Sequence, residues 1–205
     1  MFYVGVDLGQ RHDHTAIAIV ERPERRGENQ QRIYNALAPL PPELLVRRAE
    51  RVALGTPYPK VVEKLRELAR SRGLAGNCAL VVDGTGVGTP VVDMLRAADL
   101  GCEITSVIIT GGEKPTGSGS RVNVPKKDLI ACVQLALERG ELKIARKITE
   151  VRTLVRELID VRVSGVRIGA DGAGEHDDLV IALALACWKA RSQKSLYGAG
   201  RIPWL

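Results

Sequence analysis

The chain has 205 residues, 45% hydrophobic and only 3% aromatic, with 30 Lys and Arg against 24 Asp and Glu for a net charge of +6. That length holds one domain and a small appendage, and the apolar content builds an aliphatic core and excludes a disordered chain. No apolar run reaches the ~18 residues of a membrane span, and the opening residues MFYVGVDLG carry an acid where a secretory leader is basic.

In chain order, residues 2–8 (FYVGVDL) read as a strand ending at the turn of Gly9, and residues 14–21 as a second strand completing a hairpin. The charged stretch ERPERRGENQ has the composition of a solvated hairpin tip, and residues 31–38 are expected to add a third strand. Pro39, Pro41 and Pro42 leave residues 39–56 unassigned. From Pro57 to Arg72 the spacing of Val61, Val62, Leu65, Leu68 and Ala69 predicts an amphipathic helix. CALVVDG (78–84) is almost wholly apolar, as in a strand buried on both faces. Thr89 and Pro90 suit the cap and first turn of a helix running to Ala98, and CEITSVIIT (102–110) is a further strand. This β-α-β order predicts a parallel pair joined by a crossover helix.

Residues 111–122 (GGEKPTGSGSRV) read as a flexible Gly/Ser-rich segment. A helix is expected over 125–139, a short strand over 141–145, a helix over 147–160, and a last strand or hairpin over 162–170. DDLVIALALACWKAR (177–191) is the most apolar helix and is expected to be buried. The expected organisation is one domain, residues 1–191, and a C-terminal tail, residues 192–205. Cys78, Cys102, Cys132 and Cys187 lie far apart, never form C-x-x-C, and read as buried apolar residues of a reduced cytoplasmic protein.

The informative residues are acids on elements that should be buried. Asp7 lies in the first strand, Asp83 closes the run ALVV, and Asp177 and Asp178 open the most apolar helix. An ionised carboxylate is costly to bury unless it is paired or binds a metal. Taken singly, Asp7 and Asp83 could hydrogen-bond their own turns, and the Asp177–Asp178 pair could cap its helix. Taken together, on two strand ends and a helix start, they point to a divalent cation held by oxygen donors, Mg²⁺ or Mn²⁺.

The segments VGVDLG…DHTAIAIV, LVVDGTGVGTPVVDMLR, NVPKKDLIACVQLALERGELKIA and GEHDDLVIALALACW together resemble the nuclease domain of phage terminase large subunits. The resemblance runs from residue 2 to about residue 190. It implies an α/β ribonuclease H-like fold, a mixed sheet with antiparallel hairpin strands followed by parallel strands, flanked by helices. It also implies a DNA endonuclease in which Asp7, Asp83 and Asp177 or Asp178 hold two divalent metals. Two such ions on the order of 4 Å apart clamp a phosphodiester, one activating water and the other stabilising the leaving oxygen. Asp7 would be the bridging ligand. A terminase motor carries G-x-x-x-x-G-K-[ST], and GTGVGTP lacks the lysine, so DNA packaging is expected to need a separate ATPase component.

Arg121, Lys126 and Lys127 flank the Gly-rich segment and could contact the phosphates of duplex DNA, or could simply be solvated. His12, Asp13 and His14 could approach the metals but read more simply as an exposed hairpin connection, and His176, next to Asp177, is either a support of the site or only the residue before the helix. Other functions stay open at this point: a Holliday-junction resolvase-like nuclease, or a non-catalytic DNA-binding prophage remnant. GVDLG and VVDGTGVGT also resemble the phosphate turns of actin-like ATPases, but that architecture needs two such domains and this length supplies one.

Overall fold

β1 (Phe2–Asp7) and β2 (Ala16–Glu21) form the expected antiparallel hairpin, with Asp7 opposite Ala16. The computed structural model describes residues 1–9, 13–23, 43–86, 88–163 and 177–192. The next partner of β2 is β3 (Leu44–Arg51), antiparallel to it, in the stretch whose prolines had left it unassigned. Its alternation of buried Leu44, Val46 and Ala49 with charged Arg47, Arg48 and Glu50 is a half-buried strand pattern. The third strand expected over 31–38 lies outside the described residues.

α1 (Tyr58–Ala69) follows, with Pro57 at its N-cap and Val61, Val62, Leu65 and Ala69 on its buried face. β4 (Cys78–Asp83) then pairs in parallel with β1, and α2 (Gly88–Ala97) crosses to β5 (Glu103–Thr110), parallel to β4. The predicted β-α-β unit is therefore present. The Gly-rich segment differs from expectation. It folds into a hairpin of β6 (Thr116–Ser118) and β7 (Arg121–Pro125), turned at Gly119, whose φ of 71° a residue with a side chain adopts only with strain. β7 continues the sheet in parallel with β5.

α3 (Lys126–Glu138) starts directly from β7, and β8 (Leu142–Ile144) pairs in parallel with β3. α4 (Val151–Val163) lies a few residues later than predicted and takes in the first two residues of the expected strand over 162–170. The rest of that strand, and the tail after Ser192, lie outside the described residues. α5 (Asp178–Ser192) is the long apolar helix, buried from Asp178 through Cys187.

Among the described residues the eight strands form one sheet in the order β6-β7-β5-β4-β1-β2-β3-β8. One face packs Val4, Val6, Ile17 and Leu80 against α1 and α2; the other packs Tyr3, Ala18, Val81 and Val124 against α3, α4 and α5. A sheet with apolar cover on both sides explains the near-continuous apolar runs of its central strands. No helix among the described residues is long and apolar enough to cross a membrane. β1, β4, β5 and β7 all run in one direction, so their carboxyl ends share one edge of the sheet.

Candidate active site

Val6 pairs with Val82, so the residues that follow them, Asp7 and Asp83, end their strands side by side. Both point to the face that α5 covers, because Tyr3 lies four places before Asp7 and Val81 two before Asp83 on strands whose side chains alternate. The approach of α5 is set by Gly5. A Cβ there would stand 1.9 Å from the carbonyl oxygen of Ala182 and 2.9 Å from the amide nitrogen of Ala186. Glycine is thus what lets helix backbone rest on strand backbone. Asp7 is one pleat beyond Gly5, about 6.6 Å along β1. Asp178 is one turn before Ala182, about 6 Å along α5. The same register that seats Gly5 under Ala182 brings Asp178 towards Asp7.

The electrostatics agree with this placement. The Asp7 carboxyl is held well above the usual carboxylate range, first by its burial and then by the charges of Asp83, Asp178 and Asp177. Lys126 pulls the other way. Burial also raises Asp83, offset by hydrogen bonds from Thr85 and by Lys126. The Thr85 amide donates to Asp83 Oδ1 at 2.8 Å, while Thr85 Oγ1 accepts the Ile109 amide at 2.9 Å, which ties the end of β4 to β5. All four acids expected from the sequence therefore converge on one end of the sheet.

Lys126 is the first residue of α3, and its Nζ donates to Asp177 Oδ2 at 2.7 Å. Of the three basic residues expected to meet phosphates, it alone is at the acids. Lys127 pairs with Glu113 at 2.5 Å on the exposed surface. Arg121 is exposed at the start of β7, about 13 Å back along the strand from Pro125 at ~3.3 Å per residue. His14 is occupied elsewhere, its Nδ1 2.9 Å from the Val52 carbonyl oxygen; His12 and His176 lie outside the described residues.

Two residues at this site escaped sequence reasoning. Arg51 ends β3, and its Nη2 lies 2.6 Å from Glu157 Oε1 and 3.7 Å from Asp178 Oδ2. Glu157, from α4, accepts the Val180 amide at 3.1 Å with its other oxygen. Arg51 sits in the segment left unassigned. Glu157 did carry a signal: it is three residues after Leu154 and four before Val161, a charge inside the apolar stripe of its helix.

The donors gathered here are carboxylate oxygens, the type that hard dications take. Among the described residues no three His, Cys, Asp or Glu side chains already enclose a metal position. Asp177 is turned to Lys126, and Asp178 Oδ2 lies on the Arg51 side. The donor set fits Mg²⁺ or Mn²⁺ in kind, and the buried, mutually repelling acids form a pocket of negative charge that a cation would relieve.

No protein-family model and no curated protein matches the chain. Its fold, however, is shared with solved structures. Against the large terminase nuclease from thermophilic phage G20c the TM-score is 0.54 at 21% identity, covering 91% of this chain and 80% of that one. A mutant nuclease domain of the large terminase subunit of bacterial virus Sf6, solved with manganese and beta-thujaplicinol, gives 0.55 at 16% identity, covering 91% and 87%. The human cytomegalovirus terminase nuclease domain gives 0.52 at 13% identity, covering 91% and 82%. The architecture is the ribonuclease H-like one that the sequence resemblance implied.

Proposed function

We propose that this chain is a divalent-metal-dependent endonuclease that hydrolyses phosphodiester bonds in DNA, acting on duplex. The observation that carries this reading is the meeting of Asp7, Asp83, Asp177 and Asp178, from two strands and a helix, where burial and then the charges of the other three raise Asp7. The fold shared with terminase nuclease domains, among them one solved with manganese, supports it. Asp7, beside Asp83 across the β1–β4 pair and under the charge of Asp178, would be the natural shared ligand of two Mg²⁺ or Mn²⁺ ions. Asp83 would hold the ions from one side. Asp178, facing Asp7, would hold them from the other, and Asp177 forms the rim with Lys126.

Ions bound there would activate a water and neutralise charge on the attacking and leaving oxygens of the phosphodiester. The chain's own residues do the rest. Thr85 fixes the Asp83 carboxylate through its amide, so that this ligand arrives oriented. Lys126 places a fixed positive charge at the mouth of the acids, where a phosphate oxygen would enter. Arg121 and Lys127, on exposed surface nearer β6 and β7, are assigned to the DNA backbone, where basic residues position a duplex without reading its sequence. Any translocation of DNA is assigned to a separate ATPase.

The test is conversion of supercoiled plasmid to nicked and linear forms with Mn²⁺ or Mg²⁺. Cleavage by the wild type and its loss in a folded Asp83→Asn variant are expected. Undiminished cleavage by that variant would overturn the reading. Preference for a four-way junction over linear duplex would move the substrate to the resolvase class while keeping the chemistry.

A further inference from the structure

Asp7, Ala16 and Arg51 stand in one row across the sheet, because Asp7 pairs with Ala16 and Ala16 with Arg51. Partners across a ladder project to the same face, so Arg51 reaches the side on which α5 begins. The strands are ~4.8 Å apart, which puts the backbones of Asp7 and Arg51 about 10 Å apart with only the methyl of Ala16 between them. The first turn of α5 uses that gap. Asp178 thus has a wall of acids on one side and a guanidinium on the other, 3.7 Å away.

That guanidinium is itself held. Glu157 Oε1 binds Arg51 Nη2 at 2.6 Å, while Glu157 Oε2 accepts the amide of Val180, one of the α5 amides that no preceding turn can satisfy. Arg51 and Glu157 are only 19% and 6% exposed in their side chains, so water screens this pair poorly. A single chain of contacts therefore runs from the end of β3 through Arg51 and Glu157 to the start of α5. It fixes both the helix that bears Asp178 and the charge that faces it.

We propose that Arg51 and Glu157 are positioning residues for the metal ligand Asp178. Before a cation arrives, Asp7 repels Asp178 and would turn it away. Arg51 holds it in place from behind, and Glu157 fixes Arg51 and the helix start together. Arginine suits the task because its charge persists at every working pH and its planar head turns one nitrogen, Nη2, to Glu157 at 2.6 Å and to Asp178 at 3.7 Å. The inference rests on the metal-site reading given above. It adds that the affinity for the ions depends on residues that never touch them.

The test is a Mn²⁺ titration of the whole chain, followed by the paramagnetic resonance signal of free Mn²⁺. It is run at pH 8, above the value of about 7 to which burial raises Glu157. Circular dichroism and thermal melting accompany each variant. Asp7→Asn is expected to abolish binding. The neutral double variant Arg51→Gln/Glu157→Gln keeps an acceptor for Val180 and is expected to fold, yet to bind Mn²⁺ about 10–100-fold more weakly, the usual effect of removing groups that orient ligands. Arg51→Lys, which keeps the charge and loses the planar guanidinium, should lie between. A folded double variant with wild-type affinity would overturn the inference and leave the metal site standing. Should the double variant not fold, Arg51→Lys decides: several-fold weaker binding supports the inference and wild-type binding overturns it. Wild-type protein without Asp7-dependent Mn²⁺ binding would remove the metal-site reading and this inference with it.

Discussion

Gly5 lies beneath Ala182 so closely that a methyl group on Gly5 would stand 1.9 Å from the Ala182 carbonyl oxygen. The contact is backbone to backbone, so no side-chain rotation relieves it. Gly5→Ala is therefore expected to push α5 off β1. The cost should exceed the ~1–3 kcal/mol of ordinary overpacking. Each ~1 kcal/mol corresponds to about 2–4 °C in a chain of this size, so a fall in Tm of about 10 °C is expected. Because the shift separates Asp7 from Asp178, Mn²⁺ binding should weaken as well. Calorimetry with and without Mn²⁺ checks both.

Asp7→Asn should raise the thermal stability of the metal-free protein while abolishing cleavage. The raised pKa of Asp7 means that the folded state binds its proton more tightly than the unfolded chain, whose value is ~3.9. The contribution of Asp7 to stability is thus most favourable below pH ~4 and declines as pH rises through the raised value. Asparagine removes that decline. The variant should melt several degrees above wild type at pH 7.5 without metal, and the gain should vanish near pH 4. Equal melting temperatures at pH 7.5 would show that Asp7 is not under the burial and repulsion described.

Lys126→Ala should act in the opposite sense on the metal-free protein. Removing the ammonium leaves Asp177 without its 2.7 Å partner and takes away the positive charge that lowers both Asp7 and Asp83. The pair is partly exposed, so the loss should be modest, ~1 kcal/mol or about 2–4 °C. Mn²⁺ should restore the melting temperature and should bind more tightly, since one competing cation is gone. Plasmid nicking at saturating Mn²⁺ should nevertheless fall at least about tenfold, because the fixed charge at the mouth of the acids is missing.

The Mn²⁺ affinity of the wild type should fall steeply as pH is lowered. Protons and ions compete for the same carboxylates, and Asp7 keeps its proton to a higher pH than a free carboxylate does. The loss should set in above pH ~4, within the window opened by the raised value. A profile that stays flat until ordinary carboxylates titrate would show that Asp7 is not a ligand. Titrations in buffers from pH 5 to 8 provide the measurement.

Much of the fold was legible because its signals are local. The hairpin of β1 and β2, the crossover from β4 to β5, and the buried helix α5 all follow from apolar periodicity and run length. The register of Gly5 against Ala182 was not legible, since no local pattern says which glycine will lie under which turn. β3 was obscured by the nearby prolines, and with it went Arg51. The β6–β7 hairpin was masked by its glycines and serines, which suit a tight turn as well as a loose loop. For the site, the acids betrayed themselves as charges in apolar surroundings. Lys126 was noticed, but as a phosphate contact rather than the partner of Asp177, because a pairing across so many residues depends on parallel strands ending together. Glu157 could have been found by the same rule that found Asp7.

Asp7, Asp83 and the acids opening α5 are proposed to grip the same cations. A crystal of the chain soaked in Mn²⁺ and measured for anomalous scattering tests it most directly. Manganese peaks are expected at the carboxyl ends of β1 and β4, with Asp7 oxygens within about 2–2.4 Å of them and Asp83 and Asp178 completing the shell. Manganese confined to other surface acids, with Asp7 still beyond reach of any ion, would contradict it.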